Sequence, residues 1–166
     1  GIGDDAAVIN FGEKNTLISS DMLLEGVHFD LSYVPLRHLG YKAAMVNFSD
    51  IYAMNGTPKQ IFVNIGLSNR FSLEAIEDFY AGLILACEKH GVDIAGGDTS
   101  SSRAGMVISI TVTGTADKDK ISTRDGAKTG DLICVSGDLG AAYLGLQLLE
   151  REKRIFLENP SIQPDL

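Results

Sequence analysis

Tryptophan is absent from this 166-residue chain, and cysteine, histidine and proline are scarce, at two, three and four residues. Cys87, in a helical pattern, and Cys134, in a strand-like one, are too few for a disulfide framework and lack metal-ligand spacing, so both read as buried free thiols. Positive charge is also short. Fourteen basic against 22 acidic residues leave a net charge of −8 with no basic patch, which argues against nucleic-acid binding. No apolar run reaches the ~20 residues of a membrane span, and no charged-then-apolar leader opens the chain, so the expectation is a cytoplasmic protein without membrane contact. Walker A and kinase glycine-rich loops are missing, as is any Ser-His-Asp or Cys-His constellation. What remains is a chain 45% hydrophobic, enough to exclude disorder and to build one core.

Alternation and periodicity give the elements. "AAVINF" and "TLISSDM" read as short strands around a turn at "GEKN". "PLRHLGYKAAMVNFSDIYAMNG" reads as a helix with Pro35 in its first turn and Asn55-Gly56 as its stop; its apolar residues fall on nearly every side, which predicts burial all round. "KQIFVNIGL" is a strand. "SLEAIEDFYAGLILACEKHG" is an amphipathic helix capped by Ser72, stopped by Gly91, with a stripe of Leu73, Ile76, Tyr80, Leu83, Ile84 and Cys87. "VDIAGG" is a strand ending in two glycines, and "GMVISITVTGTA" is a long β-branched strand whose edge a second copy could cover. The loop "DKDKISTRDGAKTGD", a strand "LICVSG" and a helix "LGAAYLGLQLLEREKR" follow, Asp138 reading as the cap of the last. The fold class is therefore α/β with a mixed β-sheet. Both ends read as cut, which suggests one domain of something longer.

Carboxylates carry the chemistry. Asp5 follows Asp4 at the approach to the first strand, Asp21 ends a strand, and Asp98 follows two glycines at a strand end. Asp50 shares a helix stripe with Ala43, Asn47 and Met54, where an ionised carboxylate needs a partner or a metal. Each has an ordinary alternative: a turn for Asp21, an Asx turn for Asp98, an ion pair with Lys42 or Arg37 for Asp50. Oxygen ligands without a His or Cys cluster point to Mg²⁺, and Mg²⁺ that completes its shell with phosphate oxygens points to a nucleotide. Arg124 and Lys128 are cations in a loop, and His28, just after Asp21, is within reach of a phosphate or an aromatic ligand; all three are equally readable as surface residues.

The motifs "GIGDDAAV", "SSDMLLEGVHF", "KAAMVNFSDIYAMNGTP", "IAGGDTSSS" and "STRDGAKTGD", in this order and spacing, resemble the thiamine-monophosphate kinase family. That family belongs to a superfamily with aminoimidazole ribonucleotide synthetase and selenophosphate synthetase. The resemblance implies an N-terminal domain of the aminoimidazole ribonucleotide synthetase-like fold, with helices on one face of the sheet and a barrel formed on homodimerisation. It implies transfer of a phosphoryl group from ATP to thiamine monophosphate, assisted by Mg²⁺. By the same resemblance Asp5, Ser19, Ser20, Asp21, Asp50 and Asp98 are metal-site positions. Gly97, Asp98, Arg124 and Tyr80 fall to ATP and His28 to the thiamine phosphate, while Asp4 should face away. Residues 1–150 would form the ATP/Mg-binding and dimerisation domain, and 151–166 the start of a linker to a C-terminal domain carrying a further Asp ligand. The rival readings are another ATP-dependent member of the superfamily and a non-catalytic domain that dimerises and binds metal or nucleotide.

Overall fold

A computed structural model describes residues 3–10 and 15–161, so most of the turn expected at 12–15 lies outside the described residues. The chain divides into two compact units, 1–127 and 128–166. In the first, strands β1 (Ala7–Asn10), β2 (Asn15–Leu24), β3 (Thr57–Leu67), β4 (Asp93–Ser101) and β5 (Val107–Ala116) form one sheet in the order β1-β2-β5-β3-β4. Pairing is antiparallel except between β3 and β4, which the helix between them makes parallel. The sheet is mixed, as the imperfect alternation of strands and helices predicts. Its long β-branched strand β5 lies in the centre, between β2 and β3, and not at an edge.

Helices α1 (Leu36–Ala53) and α2 (Leu73–His90) cover one face. Ile108, Ile110 and Val112 of β5 and Ile61, Val63 and Ile65 of β3 point into this layer, and all six are buried. The alternate residues face away, among them Met22 and Phe62, both large, apolar and exposed. Helix α1 is not buried all round. It buries Leu39, Gly40, Ala43, Ala44, Asn47, Phe48 and Ile51 and exposes Arg37, Lys42, Ser49 and Tyr52, so its broad apolar surface is shared between the sheet and α2. In α2 Ser72 caps the N-terminus by accepting from the Ala75 N–H at 3.3 Å, and Gly91 ends the helix at φ 64°, as expected. Its buried stripe is Phe79, Gly82, Leu83, Ala86 and Cys87, one position round from the expected one, and Leu73 is exposed. The shift follows from close helix packing at two glycines: a Cβ on Gly40 would lie 1.9 Å from the Phe79 carbonyl oxygen, and one on Gly82 1.8 Å from that of Arg37.

Strand β4 runs through Gly96 and Gly97 to Ser101, so Asp98 sits within a strand rather than at its end. Glycine is needed within the strand here because the backbone of β3 comes close: a Cβ on Gly97 would lie 1.8 Å from the Val63 carbonyl oxygen. In the second unit α3 (Ala141–Glu158) is the only element among the described residues. The segment 132–137 forms no strand, because a strand needs a hydrogen-bonded neighbour and the described residues of this unit contain no other strand. Gly140, and not Asp138, occupies the cap position of α3, and Cys134 is exposed where a buried thiol was expected. No helix among the described residues is long and apolar enough to cross a membrane.

Candidate active site

The C-terminal half of α1 organises one end of the sheet. Its stripe of Ala43, Asn47, Asp50 and Met54 looks onto β2 and the segment before β1. The Ser19 hydroxyl donates to Asp50 Oδ2 at 2.6 Å, the Asp21 N–H donates to Asn47 Oδ1 at 3.2 Å, and the Ala6 N–H approaches Met54 Sδ at 3.0 Å. Past the helix, the Ser122 N–H donates to the Met54 carbonyl and Asn55 Nδ2 to the Lys120 carbonyl. These two bonds deliver the loop after β5, and Arg124 with it, to the same place. Arg124 donates from Nη2 to Asp5 Oδ1 at 2.5 Å and from Nε to Asp5 Oδ2 at 3.3 Å, while its N–H donates to Asp4 Oδ1 at 3.0 Å. Asp4 thus joins Asp5 on Arg124 instead of facing away.

Charge accumulates here. The hydrogen bond from Arg124 holds the Asp5 carboxyl below its ordinary range, against some opposition from burial, and Asp5, with Asp4 and Asp50 behind it, raises Arg124. Burial first, and then the charge of Asp50, push Asp21 up, and only nearby His28 opposes them. Asp50 is half-buried and bonded to Ser19. Its ion-pair alternatives fall away: the Lys42 ammonium donates to the His28 carbonyl at 2.9 Å, and Arg37 lies 13 residues up the helix, roughly 20 Å at 1.5 Å per residue.

The exposed His28 belongs to a turn in which its Nδ1 accepts the Leu24 N–H at 3.0 Å, so the neutral ring carries its proton on Nε2. Glu25 pins this turn by accepting the Met106 N–H at 2.8 Å and pairing with Arg70. Ser20 points to the opposite face, as strand alternation demands, where its hydroxyl meets Thr111 Oγ1 at 2.9 Å.

Asp98 is elsewhere. Across the sheet the row through Asp21 reads Asp21, Ile110, Val63, Gly97, and Asp98 is the next residue, paired with Asn64. Three strand spacings separate it from Asp21, roughly 14 Å. Asp98 lines a cavity of about 320 Å³ with Val63, Tyr80, Ile94, Gly96, Gly97 and Thr99. Thus the candidates form two groups: Asp5, Ser19, Asp21, Asp50 and Arg124 at one edge, and Tyr80, Gly97 and Asp98 at the other.

The donors of the first group are all oxygens, three carboxylates and a hydroxyl, which suits Mg²⁺ and not zinc. The burden on Asp21, which burial and the neighbouring charge of Asp50 make costlier to ionise, is what a cation would relieve. Among the described residues no three His, Cys, Asp or Glu side chains enclose an ion by themselves. Sequence reading did not give Asn47 or Asp4 a role, although Asn47 is the single polar residue on α1's buried face, and that was its signal.

A mixed sheet with helices on one face and carboxylates gathered around an arginine at one edge defines the class, an α/β domain with its charged groups at the sheet edge. Residues 3–116 match the family described as AIR synthase related protein, N-terminal domain, and the chain belongs to that family. It is 40% identical over 152 residues to the thiamine-monophosphate kinase of Aquifex aeolicus, covering 92% of this chain and 48% of that protein. It is 35% identical over 166 residues to the thiamine-monophosphate kinase of Bacillus subtilis, covering 99% and 50%. Among solved structures, AaThiL complexed with AMPPCP and TMP matches with a TM-score of 0.84 at 37% identity, covering 98% of this chain and 50% of that one. The chain spans about half the length of the curated relatives it matches.

Proposed function

We propose that this chain is the N-terminal half of a thiamine-monophosphate kinase, which transfers the terminal phosphoryl group of ATP to thiamine monophosphate to give thiamine diphosphate. The observation that carries the reading is the meeting of Asp5, Asp21, Asp50 and Ser19 with Arg124 at one sheet edge. The names of the relatives, and the AMPPCP and TMP bound to AaThiL, support it.

In this reading Asp5, Ser19, Asp21 and Asp50 hold Mg²⁺. Bound there, Mg²⁺ would neutralise phosphate charge and help keep donor and acceptor in line. Arg124 pairs with ATP phosphate, and its tie to Asp5 keeps the guanidinium at the cluster. Tyr80, Gly97 and Asp98 take the nucleotide at the opposite edge, where Asp98 faces an ion distinct from that of the first group. The His28 Nε2–H donates to the phosphate of thiamine monophosphate. That acceptor is already an anion at neutral pH, so no strong general base is needed. The Ser20 hydroxyl has no part in this set. We further propose a homodimer through the sheet face that the helices leave open, closing a barrel, in a cytoplasmic enzyme whose second half supplies the remaining ligands beyond residues 151–166.

Isothermal titration of Mg²⁺·AMPPCP and of thiamine monophosphate, separately, into the 166-residue chain and into the full-length protein tests the reading. Binding of both to the full-length protein, with conversion when ATP replaces the analogue, is expected. Nucleotide binding without thiamine monophosphate binding would favour another ATP-dependent member of the superfamily, and binding of neither would sink the proposal.

A further inference from the structure

We infer that Asn47 is the positioning residue of the acidic cluster: it fixes the backbone of Asp21 so that the Asp21 carboxylate stands beside that of Asp50. This rests on the reading that the cluster holds a divalent cation. Strand β1 begins at Ala7, opposite Ile18, so the β1–β2 ladder stops there, while the pairing of β2 with β5 continues to Leu24. A half-buried edge leaves backbone donors that need acceptors. Helix α1 takes over where that ladder stops. Asn47 Oδ1 accepts the Asp21 N–H at 3.2 Å, and one turn on Asp50 accepts the Ser19 hydroxyl at 2.6 Å. Two successive inward residues of β2 are therefore locked to two helix positions three apart.

The Asn47 amide has one orientation. Its Nδ2 donates to the Ala43 carbonyl at 3.0 Å, and a flip would set Nδ2 against the Asp21 N–H and Oδ1 against that carbonyl, losing both bonds. The side chain is fully buried, and every other buried residue of α1 is apolar or glycine. A leucine or alanine here would orphan the Asp21 N–H. The neutral amide supplies an acceptor without a further negative charge beside two carboxylates.

Manganese titration, followed by electron paramagnetic resonance on the 166-residue chain, tests this with wild type, Asn47→Ala, Asp21→Asn, Asp50→Asn and the Asn47→Ala/Asp21→Asn double variant. Melting curves set a temperature at which all are folded. Asn47→Ala should weaken Mn²⁺ binding about 10-fold or more. The double variant should bind no more weakly than Asp21→Asn, within about 2-fold, because both changes act through one carboxylate. Asn47→Asp keeps the acceptor for the Asp21 N–H and should bind within about 3-fold of wild type or more tightly; a loss like that of Asn47→Ala would overturn the inference. So would unchanged binding in Asn47→Ala, or losses that multiply in the double variant. Should Asn47→Ala not fold, hydrogen exchange of the wild-type Asp21 amide decides: protection supports the inference, and exchange at the rate of an open strand edge overturns it. If wild type and Asp50→Asn bind Mn²⁺ alike, the cation reading itself fails, an outcome distinct from failure at Asn47 alone.

Discussion

The two edges of the sheet solve opposite problems. At β1 and β2, side chains crowd together: Asp5 and Asp4 on Arg124, Ser19 on Asp50, the Asp21 backbone on Asn47. At β4 a cavity of about 320 Å³ is lined by Gly96 and Gly97 beside Tyr80, Val63, Ile94 and Thr99, with a single carboxylate, Asp98. In the proposed reading the first edge holds cations and phosphate charge, and the second leaves room for a flat or extended ligand. Their separation of three strand spacings, roughly 14 Å, means that a ligand serving both must be elongated, as a nucleoside triphosphate is.

The largest expected effect belongs to the first edge. In the full-length protein Asp50→Asn should lower turnover on the order of 10³-fold, because Asn removes the charge that a bound Mg²⁺ needs. The metal-free protein should melt no lower than wild type, since Asn Oδ1 can still accept from Ser19 and a half-buried charge has gone. Near-normal turnover with a large drop in melting temperature would make Asp50 structural and break the contrast.

Gly97→Ala probes the second edge. Gly97 sits at φ 149°, and a Cβ there would lie 1.8 Å from the Val63 carbonyl oxygen, so β4 must move. A destabilisation of about 2–3 kcal/mol is expected by chemical denaturation. Nucleotide affinity should fall while Mn²⁺ binding at the other edge stays as in wild type. Loss of both would mean that the edges form one cooperative site.

The smallest effect is a pH dependence. The folded-state pKa of Asp21 is raised above its ordinary 3.8, so the folded protein holds this proton more tightly than the unfolded one. Metal-free stability should therefore fall as pH rises from about 3.8 through the folded-state value. Denaturation series across that range should show the decline in wild type and a flatter profile in Asp21→Asn. An unchanged slope would place the burden on another carboxylate.

Much of this was legible in the sequence. The Ser72 cap, the Gly91 stop and the alternation in β5 are local signals, and local signals survive folding. The convergence expected of Asp5, Asp21, Asp50 and Asp98 was legible only in part: helix spacing puts Asp50 on the stripe that faces β2, but Asp98 lies three strands away from Asp21. What escaped was tertiary. Gly40 and Gly82 add nothing to an apolar stripe, yet they are where α1 and α2 touch, and this turned α2 away from its expected face. Strand β4 read as ending at its glycines, since nothing local reveals that a parallel partner, β3, carries it on to Ser101. The tie from Arg124 to Asp4 and Asp5 spans about 120 residues and depends on the bonds of Met54 and Asn55 to the loop. The segment "LICVSG" has strand composition but lacks a partner strand among the described residues of its own unit.

The central claim is that the carboxylates of the β1–β2 edge, and not Asp98, form a shared cation site. A Mn²⁺ titration of the 166-residue chain without nucleotide, comparing wild type, Asp50→Asn and Asp98→Asn, tests it most directly. The account predicts that Asp50→Asn weakens binding by about 10-fold or more, while Asp98→Asn stays within about 2-fold of wild type. Equal losses in the two variants, or a loss confined to Asp98→Asn, would contradict it.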